Sequence, residues 1–251
     1  MQISYSLCRI TIILVALSCL MGCQTSPPVN NQHQQDVRNK LVEETALTYA
    51  SRYALHWESK FINKHIHLSA RTLDQVFNFR ELLLENNLVP PILTEATHNI
   101  SLDSPDVIRA SDKIIRIVKP AQFTSAIPSW QQYLMMHYPL PEKPVSSLLP
   151  RNAQERAIWD ASISKGWQAG IVQATQIFRT NMSALKRDYM GMILYYKLLA
   201  QGMISPSHSA TANLGITGND KEMQLNDRIV KITTTSKLLP SQVQQWKPAL
   251  R

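Results

Sequence analysis

Apolar residues recur at helical spacing from Asp36 onward. Val37, Leu41, Leu47, Ala50, Ala54, Trp57 and Phe61 stand three, four or six apart, which predicts one face of a helix. Tyr49, Tyr53, Trp57 and Phe61 add an aromatic row at i, i+4. Such a row predicts a core or a helix–helix seam, with a partner groove as the alternative. A second helical stretch is predicted over residues 73–87, ended by Pro90 and Pro91, because neither ring can donate to a helix and each restricts the residue before it. The pattern then changes. Residues 92–127 hold short β-branched stretches (Ile92-Leu93, Ile100 to Leu102, Lys113 to Lys119) bounded by Pro105 and Pro120, which predicts a small sheet. A helix over 129–136 follows, and then a Pro-rich connector, where a possible internal boundary is placed at 139–151.

Asn152-Ala-Gln-Glu155 has the spacing of a capping box, in which the Asn side chain accepts from the Glu155 amide and the carboxylate reaches back to the Asn152 amide. A long helix starts there. Ile158, Trp159, Ile163, Trp167, Ile171, Ala174, Phe178, Met182, Leu185, Tyr189, Met192 and Tyr196 keep helical spacing until Gly202 and Pro206. Unbroken, it would run about 74 Å at 1.5 Å per residue. A kink is therefore expected near Ser164-Lys-Gly166 or near Gly191. Gly166-x-x-x-Gly170 predicts tight helix packing rather than a membrane-helix contact, since Lys165 and Gln168 beside it are polar. Residues 215–219 read as a turn and 223–234 as strand. The fold class is α+β, predominantly helical, with long helices and a small β-sheet element. Only 7 glycines in 251 residues agree with that bias.

Cysteine placement narrows the chemistry. Cys8, Cys19 and Cys23 are the only cysteines, so no disulfide framework or Cys-ligated zinc site is possible beyond them. Residues 10–22 are uncharged and mostly apolar, too short to span a bilayer core that needs about 20 helical residues. With Arg9 before it, the stretch reads as the hydrophobic region of a signal peptide over residues 1–22. Its ending, Leu20-Met21-Gly22-Cys23, resembles the lipobox of bacterial lipoproteins. That resemblance implies cleavage after Gly22 and lipidation of Cys23, and Gln24 in place of Asp implies sorting to the outer membrane. Residues 23–35 then read as a lipidated, polar, flexible tether carrying a domain over 36–251. A formal charge of +8 raises the question of a polyanion partner. The basic residues are scattered and interleaved with acids, so no direct nucleic-acid binding is expected.

Candidate catalytic groups are few. Glu58-Ser59-Lys60-Phe61 resembles the first motif of soluble lytic transglycosylases, whose Glu acts as a general acid, but the Gly-Leu-Met-Gln expected downstream is missing. His65 and His67 point about 200° apart on a helix and have no third ligand nearby. No phosphate loop and no nucleophile elbow is present. The expectation is no catalytic residue, no cofactor and no metal, hence not an enzyme.

Five ordered pieces carry a wider resemblance: residues 54–63 (Ala-Leu-His-Trp-Glu-Ser-Lys-Phe-Ile-Asn), residues 77–84 with 89–96, Trp130-Gln-Gln-Tyr-Leu134, residues 149–159 with Gly166-Trp-Gln-Ala-Gly170, and Asn226-Asp-Arg-Ile-Val-Lys-Ile-Thr233. Together they resemble the DotC family, which includes the TraI lipoprotein of related conjugation systems. The resemblance covers nearly all of the chain after the tether. It implies an outer-membrane lipoprotein facing the periplasm, a structural and assembly subunit of a type IVB secretion or conjugation core complex. It also implies a DotD-like lipoprotein and a DotH-like subunit as partners, the latter placed at the outer membrane with its help, in an oligomeric ring. The alternative is a periplasmic ligand-binding or peptidoglycan-acting lipoprotein. Trp57, Phe61, Trp159 and Trp167 are the expected partner-interface residues, because interfaces favour aromatic anchors.

Overall fold

The computed structural model describes residues 31–241. The expected signal peptide over 1–22, Gly22, Cys23 and the expected tether as far as residue 30 lie outside the described residues. The elements run α1 (Asn31–Leu68), α2 (Ala70–Val76), β1 (Leu88–Val89), β2 (Ile92–Ser104), β3 (Val107–Lys119), β4 (Gln122–Phe123), α3 (Trp130–Leu134), α4 (Ala153–Ala200), β5 (His208–Asn219) and β6 (Glu222–Thr234). Among the described residues the strands form antiparallel two-stranded sheets: β1 with β4, β2 with β3, and β5 with β6. The architecture is α+β and mostly helical, as the patterning predicts.

Several boundaries differ from the sequence reading, each for a physical reason. Helix α1 begins at Asn31, five residues before the apolar pattern does. The helix expected over 73–87 stops at Val76 and gives way to two 3₁₀ turns, since Asn86 and Asn87 take φ of 58° and 55°, which no right-handed helix accepts. The stretches between Pro105 and Pro120 are not separate short strands. Pro105 sits in the turn of one long ribbon, β2–β3. Residues 215–219 are strand rather than turn, with Gly215 at φ 79° beside a register shift. The turn falls one step later, where the amides of Lys221 and Glu222 donate to Asn219 Oδ1 at 2.9 and 3.1 Å. Helix α4 runs unbroken through Gly166 and Gly191.

The described residues gather into two compact units, one of chain up to Ala50 with Glu142–Gly166, the other of Ser51–Pro141 with the chain from Trp167. In the first, α1 buries Val42, Ala46 and Ala50. Gly166 of α4 explains the small residues: a Cβ there would stand 2.5 Å from Leu47 O and 2.9 Å from Ala50 Cβ. The cap of α4 is one residue out of the expected register. Asn152 Oδ1 accepts the Glu155 amide at 2.8 Å, but Glu155 Oε2 accepts from the Arg151 amide at 2.9 Å rather than from Asn152. That amide bond, aided by Arg38, holds the Glu155 carboxyl below the usual carboxylate range. Arg38 also donates to Ser147 O at 2.6 Å and Leu149 O at 2.8 Å, pinning the Pro-rich connector to α1.

The second unit carries the main core, Ile66, Phe79, Val89, Ile92, Trp130, Leu134, Leu185 and Met192, with a satellite of Leu93, Tyr195, Leu198 and Ile204. Trp130 is buried with its indole N–H donated to Asp74 at 2.7 Å, so the ring packs without stranding a donor. After the short α3, the chain is extended because Asn63 bonds it twice, to Met136 O at 2.7 Å and from Met136 N at 3.1 Å. Gly170 again permits close packing, since a Cβ would collide with Ser51 O and Ala54. At Gly191 a Cβ would be 2.6 Å from both Ile92 Cγ2 and Leu93 O, which lets the base of β2 lie on α4.

That base is held by a buried ion cluster. Asp188 is fully buried; its Oδ2 receives Lys119 Nζ from the end of β3 at 2.6 Å and the Tyr133 hydroxyl at 3.1 Å, and its Oδ1 receives Arg187 Nε at 2.8 Å and Nη2 at 2.7 Å. Burial alone would raise the Asp188 pKa, but the Lys119 and Arg187 bonds prevail and hold it below the usual range. Burial and the Asp188 charge push the Tyr133 hydroxyl up to about 12.

Because folding lowers the Asp188 pKa, its stabilisation is whole above the unfolded value of about 3.9 and is lost as pH falls through the folded value. Asp188→Asn should therefore lower the stability at pH 7 by roughly 2–4 kcal/mol and flatten the acid limb below about pH 4, measured by denaturant melts across pH. An unchanged acid limb would contradict this assignment. Gly170→Ala offers a test of sign. Helix propensity alone would stabilise the protein by up to about 1 kcal/mol, whereas the seam predicts a loss of about 1–3 kcal/mol in the same melts.

Candidate functional site

Helix α1 presents an aromatic ladder on the surface of the second unit. Tyr53, Trp57, Phe61 and His65 follow at i, i+4 steps, so each ring lies over the next. The Trp57 and Phe61 rings stack at 5.8 Å and 8°, and Phe61 meets His65 at 4.2 Å. Trp167 of α4 joins them, 5.7 Å from Trp57 and 6.2 Å from Tyr53. Trp57 and Phe61 are each 47% exposed and Tyr53 is 37% exposed. The row therefore lies along the α1–α4 seam as expected, packed on Trp167, but at its margin, where Trp57 and Phe61 remain about half exposed.

The reason is a turn in the buried stripe. Ala54 is buried and lies on the same ideal face as Trp57 and Phe61, within about 60° at 100° per residue. Beyond it, the residues that face the core are Leu55, Ser59, Ile62 and Ile66, centred about 100–150° away. Ser59 is tolerated inside because its hydroxyl donates to His56 O at 2.8 Å. The aromatic row is left at the margin of the core, in solvent.

Beside the ladder opens a groove of about 360 Å³ lined by Phe61, Ile62, His65, Ile66, Leu73, Phe178 and Met182, with Glu58 at its polar edge. Apolar walls, aromatic anchors and two ionisable groups suit the side chains of a docked polypeptide. The proton-transfer chemistry is sparse. Glu58 and His65 are the titratable lining groups, and His65 Nδ1 is engaged by Phe61 O at 2.9 Å within the helix. His67 is exposed on α1. Among the described residues no three His, Cys, Asp or Glu side chains converge as metal ligands would.

Of the expected interface residues, Trp57, Phe61 and Trp167 are brought together here. Trp159 belongs to the first unit and is half-buried. Cys23 is outside the described residues. Tyr53 and His65 extend the ladder, and their i, i+4 spacing was the available signal. The Asp188 cluster had none, since its four members come from positions as distant as 119 and 188.

Comparison with known proteins gives the family. No curated protein matches the chain. Residues 36–248 match the TraI family described as type IV secretory system, conjugal DNA–protein transfer. The match begins near the foot of α1, takes in every later element, and agrees with the resemblance read from the ordered motifs. The protein thus belongs to the TraI family of the type IV secretory system, as a component of conjugal DNA–protein transfer.

Proposed function

We propose that this family member is a lipid-anchored, non-catalytic assembly subunit of the secretion core complex. Acylated at Cys23 after cleavage behind Gly22, it sits at the outer membrane and faces the periplasm. There it works beside a DotD-like lipoprotein and helps to place a DotH-like subunit in a ring. The observation that carries this reading is the partly exposed ladder Tyr53, Trp57 and Phe61, packed on the half-buried Trp167, with its apolar groove. Aromatic side chains left about half exposed keep apolar surface in water that a protein partner would cover, and such residues are where interfaces concentrate their affinity. The anchor is supported by Leu20-Met21-Gly22-Cys23 at the end of an apolar stretch too short to span a bilayer. Among the described residues no helix is long and apolar enough to cross a membrane.

Isolation of the native protein from outer membranes should recover the DotH-like subunit with it; recovery of the chain alone would sink the proposal. Trp57→Ala with Phe61→Ala should reduce that recovery by about 30-fold or more in affinity, with little change in melting temperature, because the rings are outside the core. Cys23→Ser should abolish palmitate labelling and move the protein off the outer membrane. A second reading has one observation in its favour, the presence of Glu58 at the edge of the groove. If the chain cleaved peptidoglycan, Glu58→Gln would abolish digestion of cell-wall sacculi; the proposal expects no digestion by either form.

A further inference from the structure

In the second unit α4 keeps one straight line of side chains in solvent. Arg179, Ser183, Lys186, Met190, Ile193 and Lys197 are all exposed, and they follow one another at intervals of four, three, four, three and four residues. At 100° per residue the six positions stay within about 40° of one line, which runs about 27 Å along the helix. Such intervals average 3.5 residues, the repeat of a seam along which a second helix can lie without leaving the face. On the other side of α4, Leu185, Met192, Tyr195 and Leu198 are buried in the core of the unit.

The line alternates cations with apolar surface. Lys186 and Lys197 bracket Met190 and Ile193, which are 58% and 38% exposed, and Arg179 stands two turns before Lys186. Ser183 is a low point between the two cations, its hydroxyl turned back to Arg179 O at 2.9 Å. Beside Met190 and Ile193 a cleft of about 390 Å³ opens against the base of β2, lined by Leu93 and Leu194 together with Arg187 and Lys197.

The cations lack counter-charges. Residues 167–200 hold four basic residues and one acidic residue, Asp188, which is buried and taken up by Lys119, Arg187 and Tyr133. The carboxylate lining the cleft, Glu95, is held by Lys113 at 2.6 Å. Among the described residues Arg179, Lys186 and Lys197 enter no ion pair. Their order along the line selects the occupant. A helix that lies on a membrane keeps its bases off its apolar face, whereas here both share one line. A phosphate backbone would cross Met190 and Ile193, which offer it no donor. A second copy of the line brings no acid to the cations.

We propose that α4 docks an acidic amphipathic helix of a partner protein along Arg179, Lys186, Met190, Ile193 and Lys197. Two acidic side chains eleven residues apart meet Lys186 and Lys197, and apolar side chains four and seven residues along lie on Met190 and Ile193, one of them reaching the cleft at the base of β2. The ion pairs set the register and the apolar contacts between them exclude water. None of the five residues lines the groove beside the α1 ladder, so this surface is separate from the one on which the assembly reading rests.

Photocrosslinking in the native cell tests the site in the full-length protein. Ile193→p-benzoylphenylalanine should capture a segment of another protein, and mass spectrometry should place the crosslink in a stretch with more Asp and Glu than Lys and Arg. Gln173→p-benzoylphenylalanine, exposed but about 120° around the helix, should not capture that segment. Lys186→Glu with Lys197→Glu should reduce the capture at least about tenfold, while Lys186→Arg with Lys197→Arg should retain it. Both pairs should melt at the parent temperature, because the two side chains are exposed. With the purified protein in detergent, a synthetic helix bearing Glu, Leu, Leu and Glu at i, i+4, i+7 and i+11 should bind by fluorescence anisotropy. Its counterpart with Lys in place of Glu should bind the charge-reversed variant alone. Capture of no protein, a captured segment that is neutral or basic, a crosslink to lipid or nucleic acid, or capture undiminished by the charge reversal would each overturn the site.

Discussion

The constraint on which the rest depends is the closeness of α1 to α4 within each unit. A Cβ at Gly166 would overlap Leu47 O, and one at Gly170 would overlap Ser51 O, so the two backbones touch at these turns. Close approach of this kind admits only small partners, and Ala46, Ala50, Ala54 and Ala174 are buried accordingly. It also lets α4 continue through glycines that would otherwise weaken it, because the dispersion contacts of a tight seam offset the conformational freedom a glycine loses in a helix. In the second unit α4 is then the support on which other elements are mounted.

What is mounted follows from where polar groups can be satisfied. The base of ribbon β2–β3 lies on α4 at Gly191 and is locked by Lys119 on Asp188, a buried carboxylate whose bonds to Lys119, Arg187 and Tyr133 use both oxygens. The extended chain after α3 is tied to α1 through the Asn63 amide, which serves one donor and one acceptor of Met136. Apolar surface left in solvent among the described residues includes the outer edge of the aromatic ladder of α1 and the tips of the two ribbons. Exposed apolar surface of this kind is consistent with the assembly role proposed above for this member of the TraI family of the type IV secretory system.

The elements were largely legible in the chain, because hydrophobic periodicity is a local property. Long helices, a helix start at Asn152, strand material in 92–119 and 223–234, and close packing at Gly166-x-x-x-Gly170 could all be read off. The errors were also local in origin. Pro105 looked like a boundary and is a hairpin turn, and Gly215 to Gly218 looked like a turn and is a bulged strand. A turn-forming residue signals a change of direction or a change of twist, and only cross-strand pairing says which.

By itself, then, the sequence determined the order of the elements, the absence of cysteine beyond Cys23, the apolar stretch ending in Leu-Met-Gly-Cys, and the family. Tertiary structure alone decided which apolar residues are core. Ala54, Trp57 and Phe61 share one ideal helical face, yet Ala54 is buried and the two rings are about half exposed. The stripe that meets the core turns around α1 as its neighbours change, and no periodicity within one helix records where its neighbours lie. The same holds for Asp188, whose buried charge is met by its neighbour Arg187 and by Lys119, which arrives from a strand 69 residues away.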